Sequence, residues 1–286
     1  MAARANSLAL GYSGVRPEIA ELLCRMVNAD VVPVVPLRGS VSASGDLAPT
    51  SYIAAAMSGR SDAKVTVGGF GGGSNGQYVK VVTVVEAFEA AGLTFVEFAA
   101  KEALAVVNAS SFGASLAAVV LFDAAMAAVI AQLVTALAVE CLDGRLESFH
   151  QIVHDRCLPH AGNRLVAANV RRLLSGSRLV RAVHEWRRPD VAHELKQDRY
   201  ALRTAPQWLG PTVETLTESV RRLNVELNSA NDNPLIDHRT GEMLHCGNFQ
   251  GLSITVAMDQ VELVTFVTYH GKNLHTVFDY RLRSNT

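Results

Sequence analysis

From Ala103 to Leu142 the chain runs through alanine, valine, leucine and other apolar residues with few interruptions, and Ala103 to Phe122 carries no formal charge. No strand of a globular protein is this long. The run therefore reads as helix, ending near Gly144. A helix that is apolar all round has to be covered all round, by lipid or by other helices. Asn108, Ser110, Ser111 and Ser115 interrupt its first half, and Asp123 separates that half from the apolar stretch Ala124 to Val139. The second stretch falls short of the roughly 20 residues a bilayer span needs. The expectation is a helix buried on all sides within a helical bundle, with no membrane as partner.

The remainder is also mostly helical in pattern. Pro17 to Asn28 places Ile19, Leu22, Leu23, Met26 and Val27 in one stripe. Pro33 and Pro36 enforce an extended stretch. Asp46 is a candidate N-cap for a helix through Ala54-Ala55-Ala56-Met57, with Pro49 near its first turn. Gly68 to Gly76 reads as a loop or short hairpin; it has no GxxxxGK[ST] pattern and so no phosphate loop. Further helices are expected at Val81–Ala91, Asn169–Leu174, Arg178–Arg187, Thr212–Asn228 and Ser253–His270. Val277 to Thr286 loses the apolar pattern, as a truncated or misread end would. There is no internal repeat and no composition break. The expected fold class is mainly α, as one partial domain over residues 1–286.

With 286 residues, 49% of them hydrophobic, the chain can bury a substantial core. Its 26 basic and 27 acidic residues leave a net charge of −1, with no surplus to attract nucleic acid or anionic lipid. Arg171-Arg172 and Arg187-Arg188 read as solvated helix faces. Cys24, Cys141, Cys157 and Cys246 form no CxxC pair, which suits small core thiols in a reducing, cytoplasmic compartment. Met1-Ala2-Ala3-Arg4 opens on no apolar leader.

Several residues could carry chemistry. In Ala43-Ser44-Gly45 no side chain hinders the Gly45 nitrogen from attacking the Ala43 carbonyl. Loss of two waters, one from Ser44, would close a methylidene-imidazolone ring, an electrophile grown from the backbone. The plain alternative is a tight turn before a helix. Gln197, Tyr200 and Arg203 stand at i, i+3 and i+6; if helical, they share a face. There Arg203 could grip a carboxylate bidentately, or simply be solvated. Asn108 follows an apolar run and should be buried and hydrogen-bonded. Asn233, before Pro234, suits an Asx-turn, and Phe249 suits a core. His150, His154, Cys157 and His160 have zinc-like spacing, yet the motif lacks the glutamate of HExxH and Pro159 breaks a continuous helix. No metal is assigned.

Five segments carry a resemblance. They are Ala43-Ser44-Gly45-Asp46, Lys101-Glu102-Ala103-Leu104-Ala105-Val106-Val107-Asn108, Gln197 to Pro211, Asn231-Asp232-Asn233-Pro234, and Gly247-Asn248-Phe249-Gln250-Gly251. In this order the chain, from about Arg4 to about Leu263, resembles the aromatic amino acid ammonia-lyases, the fungal phenylalanine ammonia-lyase branch most of all. It corresponds to about the middle half of a family subunit. The resemblance implies an elongated all-helical bundle of the fumarase/aspartase-like type, incomplete at both ends, that assembles as a homotetramer with active sites shared between subunits. It implies the prosthetic ring formed from Ala43-Ser44-Gly45, no catalytic metal and no nucleotide. It implies that Arg203 binds the substrate carboxylate, that Tyr200 and Gln197 line the electrophile, that Asn108 contacts the ring or the substrate amine, that Asn233 lies near the carboxylate, and that Phe249 packs near the ring. The substrate implied is L-phenylalanine, with L-tyrosine as the alternative. The family's proton-abstracting tyrosine lies upstream of these segments, and Tyr12 is not its counterpart. One departure stands out: Asn108-Ala109-Ser110 replaces the usual Asn-Gly-Thr, which is tolerable unless Ala109 needs positive φ. Aminomutases and tyrosine or histidine ammonia-lyases share these motifs, although Trp208-Leu209-Gly210-Pro211 is of the phenylalanine type. A truncated, inactive subunit with only a packing role is the reading from another class.

Overall fold

The computed structural model describes residues 1–40, 45–68, 79–181 and 197–283, with side chains in the last helix through residue 268. Helices dominate. They are α1 (Ala2–Ala9), α2 (Pro17–Asn28), α3 (Leu47–Met57), α4 (Val84–Ala91), α5 (Glu102–Val107), α6 (Ser111–Cys141), α7 (Ala161–Leu173), α8 (Tyr200–Arg203), α9 (Ala205–Leu227) and α10 (Leu252–Arg283). Strands β1 (Val32–Pro33), β2 (Lys64–Val67) and β3 (Lys80–Thr83) form a small antiparallel sheet in that order, and β4 (Leu235–Ile236) pairs with β5 (Met243–Leu244).

The chain divides into two compact units, Met1–Ala118 with Arg222–Val256, and Val119–Arg221 with Ala257–Thr286. The first has its own core, in which Leu8, Ile19, Leu23, Met26, Met57, Val65, Phe88 and Val106 meet. Each such side chain contributes about 1.5–3 kcal/mol when fully buried. The core of the second includes Val139, Phe149, Val166, Val170 and Leu209.

Helix α2 follows its sequence closely. Pro17 opens it, Glu18 lies in its first turn and Arg25 in its last, and Ile19, Leu22, Leu23 and Met26 are buried. Val27, expected in the same stripe, is exposed. At Val81 the pattern misleads: residues through Thr83 continue β3 by pairing with β2, and α4 starts only at Val84. Thr83 and Glu86 form a reciprocal capping box that fixes this start, and Gly92 ends the helix in the left-handed region.

The long apolar run breaks in two. In a continuous helix the Ala109 amide would donate to the Ala105 carbonyl. Instead the buried Arg4 guanidinium takes that carbonyl through Nε, at 2.7 Å, and through Nη2. The Ala109 amide turns to the Gly45 carbonyl at 3.1 Å. A cation caps α5, and the chain bends at Asn108 before α6 begins. Nor is α6 covered on all sides by this chain: Leu116, Val119, Phe122, Val129, Ile130 and Val134 are exposed. By length and composition, Glu102–Cys141 is long and apolar enough to cross a membrane.

Other expectations shift. Cys24, Cys141 and Cys157 are exposed rather than core residues, and all four cysteines are free. The helix expected from Asn169 begins at Ala161, the one from Thr212 begins at Ala205, and the one from Ser253 runs on to Arg283. Residues 178–181 are not helical, and the rest of the segment expected to be helical there lies outside the described residues. So does nearly all of the Gly68–Gly76 segment, which is flanked by the β2–β3 pair.

Candidate active site

Ala43 and Ser44 lie outside the described residues; Gly45 lies within them. Its surroundings are specific. The Gly45 amide donates to the Phe249 carbonyl at 2.9 Å, and its carbonyl accepts from Ala109 at 3.1 Å. Its φ of +74° is one that side chains rarely allow, and an added Cβ would collide with Asn108 Oδ1 and touch Phe249 Cβ. The structure therefore brings together Gly45, Asn108 and Phe249. Ala109 does not have positive φ, so its replacement of glycine brings no strain.

Asp46 does not cap α3 with its side chain. It adopts a left-handed backbone at φ 35° and is buried. Its carboxylate accepts from the Gly113 amide, in the first turn of α6, at 3.0 Å, and from the Ser40 hydroxyl. The anion thus occupies the positive end of α6. Thr50 completes the joint, because its hydroxyl donates to the Val107 carbonyl at 2.6 Å, just before Asn108.

Asn233 follows Asp232 and precedes a cis peptide to Pro234. Its backbone amide donates to the neighbouring Asp232 Oδ1 at 2.7 Å, and its own Oδ1 accepts from the distant Cys246 amide at 2.7 Å, so its side chain makes a long-range tie rather than the Asx-turn expected. Asp232 is fully buried between two cations, with Lys101 Nζ at 2.8 Å and Arg4 Nη2 at 3.6 Å. Burial pulls the Arg4 pKa down to about 10, with Asp232 opposing. Sequence reasoning assigned no role to Arg4, Lys101 or Asp232, and gave Asp46 only the helix-capping role that its side chain does not take.

Gln197, Tyr200 and Arg203 belong to the second unit. They do not share one helix. Arg199 is extended and α8 comprises only Tyr200–Arg203, so Gln197 precedes it. The two long side chains still meet, since Arg203 Nη1 donates to Gln197 Oε1. Tyr200 is 44% exposed. Between them Asp198 anchors the segment, accepting from the Arg145 amide at 2.7 Å. Burial raises its carboxyl pKa, against the pull of that amide and of Arg145 and Arg181. His154, one of the zinc-spaced set, is buried with Nε2 at 2.8 Å from the Ser148 carbonyl, which requires the proton on that nitrogen. Among the described residues no three His, Cys, Asp or Glu side chains converge as a metal site.

Residues 1–270 match the family described as aromatic amino acid lyase, and the chain belongs to that family. Its mainly helical fold is the fold of these lyases. A phenylalanine ammonia-lyase of Strobilurus tenacellus is 41% identical over 261 residues, which is 91% of this chain and 35% of the relative. The crystal structure of phenylalanine ammonia-lyase from the yeast Rhodosporidium toruloides superposes with a TM-score of 0.83 at 42% identity, covering 92% of this chain and 38% of that one. The phenylalanine aminomutase of Pantoea agglomerans gives a TM-score of 0.83 at 31% identity, covering 95% and 51%. The chain thus spans 35% of the length of the fungal relative and about half of the aminomutase, where half of a family subunit was expected.

Proposed function

We propose that this chain is part of a fungal-type phenylalanine ammonia-lyase, which converts L-phenylalanine to trans-cinnamate and ammonia. The observation that carries the reading is the cradle around Gly45. A ring-forming glycine needs an amide held in place and no side chain. Both conditions are met, by the Phe249 carbonyl and by the close approach of Asn108. The residues fit a ring formed from Ala43-Ser44-Gly45; once closed, it supplies an electrophilic methylidene that activates the substrate for loss of its β-proton and amine.

In this reading Arg203 binds the substrate carboxylate and holds it in register. Gln197 and Tyr200 line the electrophile. Asn108 meets the ring or the substrate amine, and Phe249 packs beside it. Asn233 donates to the carboxylate through its Nδ2, since its Oδ1 is taken by Cys246. The amino ends of α3 and α6, which flank Asp46, favour negative charge nearby. A cytoplasmic homotetramer, with each site shared between subunits, would supply the general base and cover α6. The family resemblance supports these roles, as does 41% identity to a phenylalanine ammonia-lyase.

A second reading rests on likeness of fold. The aminomutase matches the fold as well as the lyase does. Incubation with L-phenylalanine separates them, through cinnamate and ammonia on one side and β-phenylalanine on the other. Ser44→Ala tests the ring itself. The unaltered protein should show an intact mass lower by two waters, and the variant should show neither the deficit nor turnover. Full activity in the variant would rule out the electrophile. A folded protein with no deficit and no turnover would leave the inactive, packing role.

A further inference from the structure

We propose that Lys101 is a positioning residue, whose ammonium, clamped between Asp232 and the Ser13 carbonyl, sets the placement of Asn108 relative to Asn233. The proposal rests on the reading that both asparagines serve the substrate.

The backbone gives the first indication. Lys101 is left-handed, with φ +73°, at the start of α5. Glycine would adopt this conformation without strain, whereas a lysine is held there against its preference. Two contacts hold it. Its Nζ donates to the Ser13 carbonyl at 2.6 Å and to Asp232 Oδ2 at 2.8 Å, while its side chain is only 18% exposed.

The far end of the clamp leads to Asn233. Asp232 Oδ2 takes the ammonium, and Oδ1 takes the Asn233 amide. One carboxylate therefore fixes the lysine and the asparagine together. The near end leads to Asn108, which is bracketed on both sides by contacts to the same turn. Before it, Arg4 grips the Ala105 carbonyl and reaches Asn231 Oδ1 at 3.2 Å. After it, Ser110 Oγ accepts from Asn231 Nδ2 at 2.8 Å and donates to Glu226 Oε2 at 2.9 Å. Lys101, Ala105 and Ser110 are thus all tied to Asn231-Asp232, the pair that precedes Asn233.

The charges argue for geometry over stability. Two cations face one buried anion. Buried ion pairs contribute little net stability and are best attested as devices that fix one arrangement. Removing the lysine charge leaves Asp232 one cation, Arg4, with Nη2 at 3.6 Å.

Hydrogen exchange on the full chain is the first test, comparing wild type, Lys101→Met and Lys101→Arg. Two amides report: Ala109, bonded to the Gly45 carbonyl, and Cys246, bonded to Asn233 Oδ1. In the methionine variant both should exchange at least ten-fold faster, with the β2–β3 amides and the melting temperature unchanged. The arginine variant should recover most of the protection. Unchanged protection at both amides would overturn the proposal. So would a uniform loss that includes the sheet, since that is a structural role alone. If the methionine variant does not fold, Lys101→Gln carries the same readouts. In the assembled enzyme Lys101→Met should raise KM for L-phenylalanine at least ten-fold and lower kcat less than three-fold; the reverse split would also count against positioning. Wild type that turns over no amino acid would strike the proposed function and leave the exchange result standing.

Discussion

Glu102 sits where four donors converge. Arg16 supplies its amide, Nε and Nη2 at 3.1, 2.9 and 2.7 Å, and the Ala99 amide lies at 2.8 Å. The hydrogen bonds from the Arg16 side chain act first, with the backbone amides helping, to lower the Glu102 pKa from 4.5 to about 2 in spite of burial. A carboxylate held below its unfolded value contributes stability above that value and loses it as pH falls through the folded one. Glu102 should therefore stabilise the chain above about pH 4.5, an effect that fades towards pH 2. Glu102→Gln should flatten that part of the profile, read by urea unfolding at a series of pH values. Arg203 makes a separate prediction. Arg203→Ala should weaken substrate binding by about 2–5 kcal/mol if the carboxylate pair is desolvated. KM and the inhibition constant for cinnamate would show it, and unchanged constants would remove Arg203 from the site.

At the scale of elements, α7 and α9 pack through glycines. A Cβ on Gly162 would lie 2.7 Å from the Gly210 carbonyl carbon, and one on Gly210 would lie 2.7 Å from the Asn163 nitrogen. Backbone cannot step aside as a side chain can. Gly162→Ala should cost at least about 1–3 kcal/mol, seen as a lower denaturation midpoint; an unchanged midpoint would mean the helices are free to separate. Sequence alone could not show this approach, because two isolated glycines carry no pattern. By contrast α2 was legible from Pro17 to Asn28, since its proline and apolar stripe are local signals. The break at Asn108 was not legible, because it depends on Arg4, far away in the chain, taking the Ala105 carbonyl. Of the candidate site, Gly45, Asn108 and Phe249 were legible as motif residues. The tie of Gln197 to Arg203 spans an extended residue and a short helix rather than the helical face expected.

For the whole molecule, the outer face of α6 dominates. Phe122 and Val129 lie one above the other on it, both exposed. An apolar surface of this kind drives association. Phe122→Glu combined with Val129→Glu should shift sedimentation to smaller species without loss of helical signal. A wild-type chain that sediments as a monomer would contradict the assembly proposed above.

The bond from the Gly45 amide to the Phe249 carbonyl has a consequence in time. The first compact unit is discontinuous, completed only by Arg222–Val256. A ribosome needs roughly 10–40 s to travel from Gly45 to Phe249 at ordinary synthesis rates. Throughout that interval the nascent glycine lacks the Phe249 carbonyl, so the cradle around Gly45 is complete only once the last strap of its unit has been made.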